Sequence, residues 1–332
     1  MKDIDLSEMC NHGANVCSRE PIHLSSAIQP HGVLVGLRAK TLGLVTKSAN
    51  VDGILGDTPQ GRSPPWLPAT VIANCRDLGK RSGNGPTLIA EIPGVGLTEA
   101  HCFAISGLVF CEFELPCAAS ASFAVDDASL VMAQAIKDME AAQDLFELAD
   151  IVARSVRAVS GFERVMVYRF GFDGDGEVVG ESLAEDWDES FLGLRFPASD
   201  IPPQARALYR VSHQRWIPVR DYEPIPLVPN RNQSGELFNL SFSLYRSISP
   251  IHQAYQQNIG ADGAMSLSVL CDGALWGLVI GHHRRPHRVS AASRHHAATE
   301  VPPLSWTPKH LCFRSPRCRR NAPHTRLSSG GR

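Results

Sequence analysis

The chain has 332 residues, 43% of them hydrophobic and 20% charged, with a net charge of −2. These proportions fit a globular protein of about two domains and exclude a strongly basic nucleic-acid binder or an acidic low-complexity chain. No apolar run approaches the ~20 residues that cross a bilayer; the N-terminus has no signal-like apolar region, and nine cysteines without a C-x-x-C pair point to a reducing, cytoplasmic setting.

Residues 1–20 read as a polar, flexible arm carrying Cys10 and Cys17. The arm runs into Cys17-Ser-Arg-Glu-Pro-Ile-His-Leu24 and then Ala27-Ile-Gln-Pro-His-Gly32. Strand-like runs follow at Val33–Leu37, Leu42–Thr46, Leu88–Ile92 and His101–Leu115, with a short helical piece at Asn50–Leu55. Short strands mixed with helices predict an α+β module. Nothing in residues 40–116 has catalytic spacing, and Cys75, Cys102, Cys111 and Cys117 read as buried, idle thiols. Residues 118–128 form an expected linker. Beyond it Ile136, Met139, Ala142, Phe146, Ala149, Val152, Val156 and Val159 recur at three- and four-residue intervals, predicting one long amphipathic helix closed by Gly161. Its exposed face suits dimerisation or packing on its own sheet. Arg164–Phe170 alternates as a strand, turns at Asp173-Gly-Asp-Gly176 and returns through Glu177–Glu181.

Phe196-Pro-Ala-Ser-Asp-Ile-Pro-Pro-Gln-Ala-Arg-Ala-Leu-Tyr209 is a different kind of stretch. Its prolines fix φ and bias the preceding residues to extended backbone, so Ala198-Ser199-Asp200 forms a stiff arch before a helix that starts at Pro202-Pro203. A long loop rich in proline spans Asp221–Leu240. Core strands are expected at Ala264–Leu270 and Leu275–Ile280, the second running on to His282-His283. After Glu300 the chain has seven basic and no acidic residues and no periodicity, which predicts disorder.

Three of these words, C-S-R-E-P-I-H, I-Q-P-H-G and P-A-S-D-I-P with its Q-A-R-A-L-Y continuation, resemble the chromophore-binding region of bacterial phytochromes. The resemblance covers roughly residues 17–299. It implies an α+β architecture of a PAS domain (21–118) followed by a GAF domain (129–299), with a figure-of-eight knot in which the N-terminal arm threads a GAF lasso loop. It also implies biliverdin IXα as cofactor, a red/far-red photoreceptor function by 15Z/15E isomerisation of the D ring, and no enzymatic activity beyond self-attachment of the bilin. The expected partners are a second copy through the GAF helices, or a separate signalling protein. The text after residue 300 loses the resemblance where a PHY domain would follow, so a stable far-red-absorbing photoproduct is not expected to build up.

Residue roles carried over by the resemblance are specific. Cys17 would form the thioether. Asp200, within Asp200-Ile201-Pro202, would offer its carbonyl to the pyrrole N–H groups. Arg215, Arg246, Tyr209 and Ser266 would hold the propionates, with Ser249 nearby. His252 would sit beside the inner pyrroles and His282 would donate to the D-ring carbonyl, while Met166, Tyr168, Phe196 and Tyr255 confine that ring. Ala264 departs from the family, which often has a hydroxyl there, and Asp262-Gly263 adds an unusual charge. Plant-type phytochromes attach through a cysteine immediately before the pocket histidine. That position is Ile251 here, which favours biliverdin over reduced bilins. The residues alone also suit a bilin-free PAS–GAF interaction module. A metal site is not expected: no H-E-x-x-H occurs, and His282 and His283 would face opposite sides of a strand.

Overall fold

The computed structural model describes residues 20–116, 125–187 and 189–300. Cys10, Cys17 and the tail after residue 300 lie outside these residues. The N-terminal unit begins with a 3-10 turn at Ile22–Leu24, then β1 (Ala27–Ile28), β2 (Gly32–Arg38), β3 (Leu44–Ser48), helix α1 (Val51–Leu55) and helix α2 (Ala69–Leu78). It ends with β4 (Gly83–Ile92), β5 (Gly96–Ile105) and β6 (Leu108–Glu114). The run read as one strand at His101–Leu115 is a hairpin instead. Ser106 and Gly107 both take positive φ, 53° and 76°, the two-residue turn whose twist matches its strands.

The C-terminal unit contains α3 (Val125–Ala141), α4 (Leu145–Ser160), β7 (Arg164–Phe170), β8 (Gly176–Leu183) and β9 (Arg195–Phe196). It continues through α5 (Pro203–Tyr209), β10 (Gln214–Ile217), β11 (Ile225–Val228), α6 (Pro250–Asn258), β12 (Gly263–Cys271), β13 (Ala274–His283) and α7 (Ala291–Glu300). The expected single long helix is two, and the expected linker is shorter because α3 already covers 125–128. The break has a local cause. Asp144 accepts from the backbone N–H of Phe146 and Glu147, and Glu147 in turn accepts from that of Gln143. This reciprocal cap starts a new helix inside an unbroken apolar period. Asp144→Ala is expected to cost about 1 kcal/mol of unfolding free energy, read as a shifted urea midpoint at unchanged slope.

The two antiparallel sheets run β1-β11-β3-β2-β6-β5-β4 and β10-β12-β13-β7-β8-β9. The first sheet therefore takes a strand from the long loop of the second unit, a feature the loop assignment of Asp221–Leu240 missed. Residues 23–29 lie between the two limbs of that loop. Ala27 and Ile28 pair with Pro226 and Ile225 on one side. On the other, Leu240 donates to His23, Ser247 to Ala27, and Gln29 to Tyr245. This is the placement a threaded lasso requires.

Because the loop covers one face of the first sheet and α1–α2 the other, β2 is buried at six of its seven residues rather than alternating. Phe103, Phe110, Leu227, Phe238 and Tyr245 form the core under the loop; Val71, Leu78, Ala100 and Phe113 belong to the core under α2. The helices α3, α4 and α7 cover one face of the second sheet through Val152, Val156, Val165, Trp216 and Val279. Arg294 of α7 ties the units together, bonding Glu99 and Glu114 of the first sheet while lying 4.1 Å over the Trp216 ring.

Glu112 is a second tie and a costly one. It is fully buried on β6 and accepts from the Ser243 hydroxyl and the Leu244 N–H. Burial pushes its carboxyl up to about 7 against those hydrogen bonds. An acid with a raised folded value binds its proton more tightly when folded, so this contribution is full below the unfolded value and lost as pH rises through about 7. His31, His101, His252 and His282 are all lowered by burial and act in the opposite sense. The difference between Glu112→Gln and wild type therefore isolates the carboxyl. Between pH 5 and 8 the variant is expected to gain relative stability, approaching ~3 kcal/mol, in parallel denaturant titrations.

Candidate functional site

The face of the second sheet turned away from α4 is built in three rungs. Period-two alternation puts Arg215, Ser266, Ile280 and Met166 side by side across β10, β12, β13 and β7. Ile217, Ala264, His282 and Arg164 form the next rung, and Leu278, Tyr168 and Val178 a third. The arch of residues 197–202, with α5 and α6, stands over these rungs and encloses a cleft with two chambers. The inner chamber, about 740 Å³, is walled by the rungs together with Phe191, Phe196 and Tyr255. The outer one, about 1460 Å³ and more open, reaches Glu20, Pro202, Arg246 and Ser249. Asp200, Ile201, Tyr209, Arg215 and His252 line both, so the cleft is continuous.

The arch is rigid for a reason its prolines only half explain. Arg206 of α5 donates to the carbonyls of Ile201 at 2.6 Å, Gly174 at 3.1 Å and Ala198 at 3.4 Å. Asp200's own carbonyl takes no part in this staple. Its carboxyl, raised by burial, has Ser199 as a weak partner at 3.4 Å. Across the inner chamber the Tyr168 ring lies over Gly176, where a Cβ would come within 2.0 Å of it. The Tyr168 hydroxyl is buried without a hydrogen-bond partner among the described residues, and burial raises it, with Asp200 and Tyr255 adding to the shift.

Electrostatics set the other end apart. Arg215 donates to the Leu244 and Arg246 carbonyls, and Arg246 to that of Leu240. Neither makes a salt bridge among the described residues. Burial followed by the Arg215 charge brings Arg246 down to about 9, and burial followed by that same charge brings His252 down to about 4. Buried Arg246 and half-buried Arg215 feel Glu112 at a distance but have no salt-bridged carboxylate among the described residues, and so make a site for negative charge.

Relatives of known structure share this fold. The chain superposes on the chromophore-binding domain of a bacteriophytochrome from R. palustris with a TM-score of 0.75 and 34% identity, covering 87% of this chain and 97% of that one. The chain belongs to the bacteriophytochrome family. The chromophore-binding domain of a Stigmatella aurantiaca phytochrome matches at TM-score 0.74 and 33% identity over 88% of this chain and 99% of that one. A PAS-fold family model matches residues 17–82 and a GAF-domain model residues 144–299. Among curated relatives, the Pseudomonas aeruginosa bacteriophytochrome is 38% identical over 278 residues and cyanobacterial phytochrome B of Nostoc 35% over 280. Each match takes in 81% of this chain and 37% of the relative's length.

In this bacteriophytochrome chain the fourteen described residues expected at the site line one of the two chambers: Met166, Tyr168, Phe196, Ser266 and His282 the inner, Pro202, Arg246 and Ser249 the outer, and Asp200, Ile201, Tyr209, Arg215, His252 and Tyr255 both. Cys17 falls outside the described residues. The sequence reading missed Arg206 and Arg164. Arg164 is 1% exposed, lies 4.0 Å over Phe191 and 4.6 Å over Trp187, and approaches His282 Nδ1 at 3.0 Å. A guanidinium can only donate, so His282 Nδ1 accepts and its proton sits on Nε2. Burial and the Arg164 charge push His282 down to about 3, keeping the ring neutral. Alternation along β7 was the available signal, since it puts Arg164 on the same face as Met166 and Tyr168.

Proposed function

We propose that this chain is the light-sensing module of a phytochrome-type photoreceptor and binds biliverdin IXα, attached through Cys17. The observation that carries the reading is the pair Arg215 and Arg246, which make no salt bridge to a carboxylate among the described residues, at one end of an elongated and largely apolar cleft. A linear tetrapyrrole with two propionates offers the matching anions and a flat apolar body. The unpartnered Tyr168 hydroxyl and the His282 Nε2–H at the other end suit the carbonyl of a terminal ring.

When bound, the bilin supplies absorption of red light and 15Z/15E isomerisation about its last bridge. The chain's residues position and insulate it. Arg215 and Arg246 anchor the propionate end, with Ser266 beside Arg215 on the same rung. Asp200 presents its carbonyl from the stapled arch to the pyrrole N–H groups. Neutral His252 takes or gives a hydrogen bond near the inner rings without competing for positive charge. Met166, Tyr168, Phe196 and Tyr255 bound the space in which the terminal ring turns. Cys17 would hold the bilin through a thioether, a simple addition of its S–H across a vinyl group that needs no oxidant and releases nothing. Signalling beyond the module would pass through a second copy or a separate partner. Exposed Leu130, Ile136 and Phe146 on α3 and α4 suit a second copy.

The test mixes purified chain with biliverdin, with Cys17→Ser alongside. A sharp red band, and bilin fluorescence in zinc after denaturation only when Cys17 is present, is the expected result. A spectrum like that of free biliverdin would instead support a bilin-free interaction module.

A further inference from the structure

Three cysteines of the N-terminal unit lie outside the cleft and play no part in the function proposed above. Cys102 on β5 and Cys111 on β6 are cross-strand partners, so their side chains are neighbours on one face. Cys75 of α2 meets them from above, its sulfur 3.1 Å from that of Cys111. All three sulfurs lie within 4.8 Å of one another, and among the described residues no other His, Cys, Asp or Glu joins the group. Each is 0% exposed, within a core of Val71, Leu78, Ala100, Ala104 and Val109.

This donor set selects by softness, number and charge. Three sulfurs and no nitrogen or oxygen suit a soft ion. Structural zinc takes four ligands, and with Zn–S about 2.3 Å it spaces sulfurs about 3.8 Å apart, wider than the Cys75–Cys111 contact. A pyramidal three-coordinate centre, with bond angles nearer a right angle, draws its sulfurs closer. Charge decides further. Three thiolates leave two negative charges around copper(I), one around a divalent ion and none around a trivalent one, and an apolar core penalises any residue of charge.

We propose that Cys75, Cys102 and Cys111 form a binding site for a trivalent thiophilic ion, of which arsenite is the form to test. Arsenous acid exchanges its three As–O bonds for three As–S bonds. Each thiol proton leaves with a hydroxyl as water, so no electron is transferred and the bound group is neutral. Entry requires α2 to lift from the sheet, because its contacts there are Val71, Cys75 and Leu78, so uptake is slow.

Arsenite is added to the full chain and to a chain with Cys10, Cys17, Cys117, Cys271, Cys312 and Cys318 replaced by serine. Arsenic X-ray absorption then counts the neighbours. The expected result is one equivalent with three sulfurs and no oxygen in both, lost in Cys75→Ala and again in Cys111→Ala built on the serine background. Circular dichroism shows whether each variant is folded, and the loss is read on the folded one. No uptake by the serine-replaced chain, two sulfurs with a retained oxygen, or undiminished uptake by a folded alanine variant would each overturn the assignment.

Discussion

Replacing Arg215 with methionine is expected to weaken biliverdin binding by about 10- to 100-fold, the worth of one charge-assisted hydrogen-bonded contact of roughly 1.5–3 kcal/mol. The measurement belongs in the Cys17→Ser background, where binding is reversible and a dissociation constant can be read from absorption. Two further readouts separate an anion site from a mere structural arginine. Arg246 is held down to about 9 in part by the Arg215 charge, as is His252 at about 4, so both should titrate higher in Arg215→Met. The His252 change is open to imidazole NMR. Affinity for a bilin with esterified propionates should then differ little between wild type and variant. An unchanged affinity ratio for acid and ester forms would remove the arginine pair from the propionate end.

The second large effect is expected at the other end of the cleft. Arg164→Met removes the only donor to His282 Nδ1 among the described residues. Loss of that charged hydrogen bond, roughly 1.5–3 kcal/mol, lets the imidazole proton redistribute between its two nitrogens. Stability should change little, since methionine fills similar apolar space against Phe191 and Trp187 while removing a buried charge that makes no salt bridge among the described residues and feels Glu181 and Glu189 only at a distance. Nitrogen-15 shifts of His282 should move from a pure Nε2–H form to a mixture. In the bilin complex the red band should broaden, because the terminal carbonyl then meets a donor in only part of the population. His282→Gln, which keeps a donor without a tautomer to choose, should be insensitive to the added Arg164→Met change. A wild-type tautomer in Arg164→Met would show that the ring is held by something else.

Most of the β structure was legible from the alternation of side chains along runs such as Arg164–Phe170 and Ala264–Leu270, although residues 164–168 are buried on both faces. That same alternation, once the strands pair, lines up the expected site residues in rungs. The helical region was harder to read. Apolar spacing from Ile136 to Val159 continues straight through the break at Asp144, since α3 and α4 pack on the same sheet side, and only the Asp144/Glu147 cap marks the boundary. The loop of residues 221–240 gave no strand signal because β11 has only four residues, one a proline and the other three each next to a proline, and is stabilised by partners in another unit.

Local chemistry thus determined from the sequence alone where most of the longer strands run, where the arch stiffens, and which residue types could surround a flat dianion. Those properties depend on neighbours along the chain, and the order of residues records them directly. Tertiary structure alone decided which charges meet. Arg215 and Arg246 come together, with no salt-bridged carboxylate among the described residues, across a gap of 31 positions; Arg164 faces His282 across 118; and Cys75, Cys102 and Cys111 converge from a helix and two strands. Each gathering follows from strand register and from a helix laid on a sheet. Each also changes what its groups do, because a cation, an imidazole or a thiol buried beside another titrates and binds differently from the same residue in water.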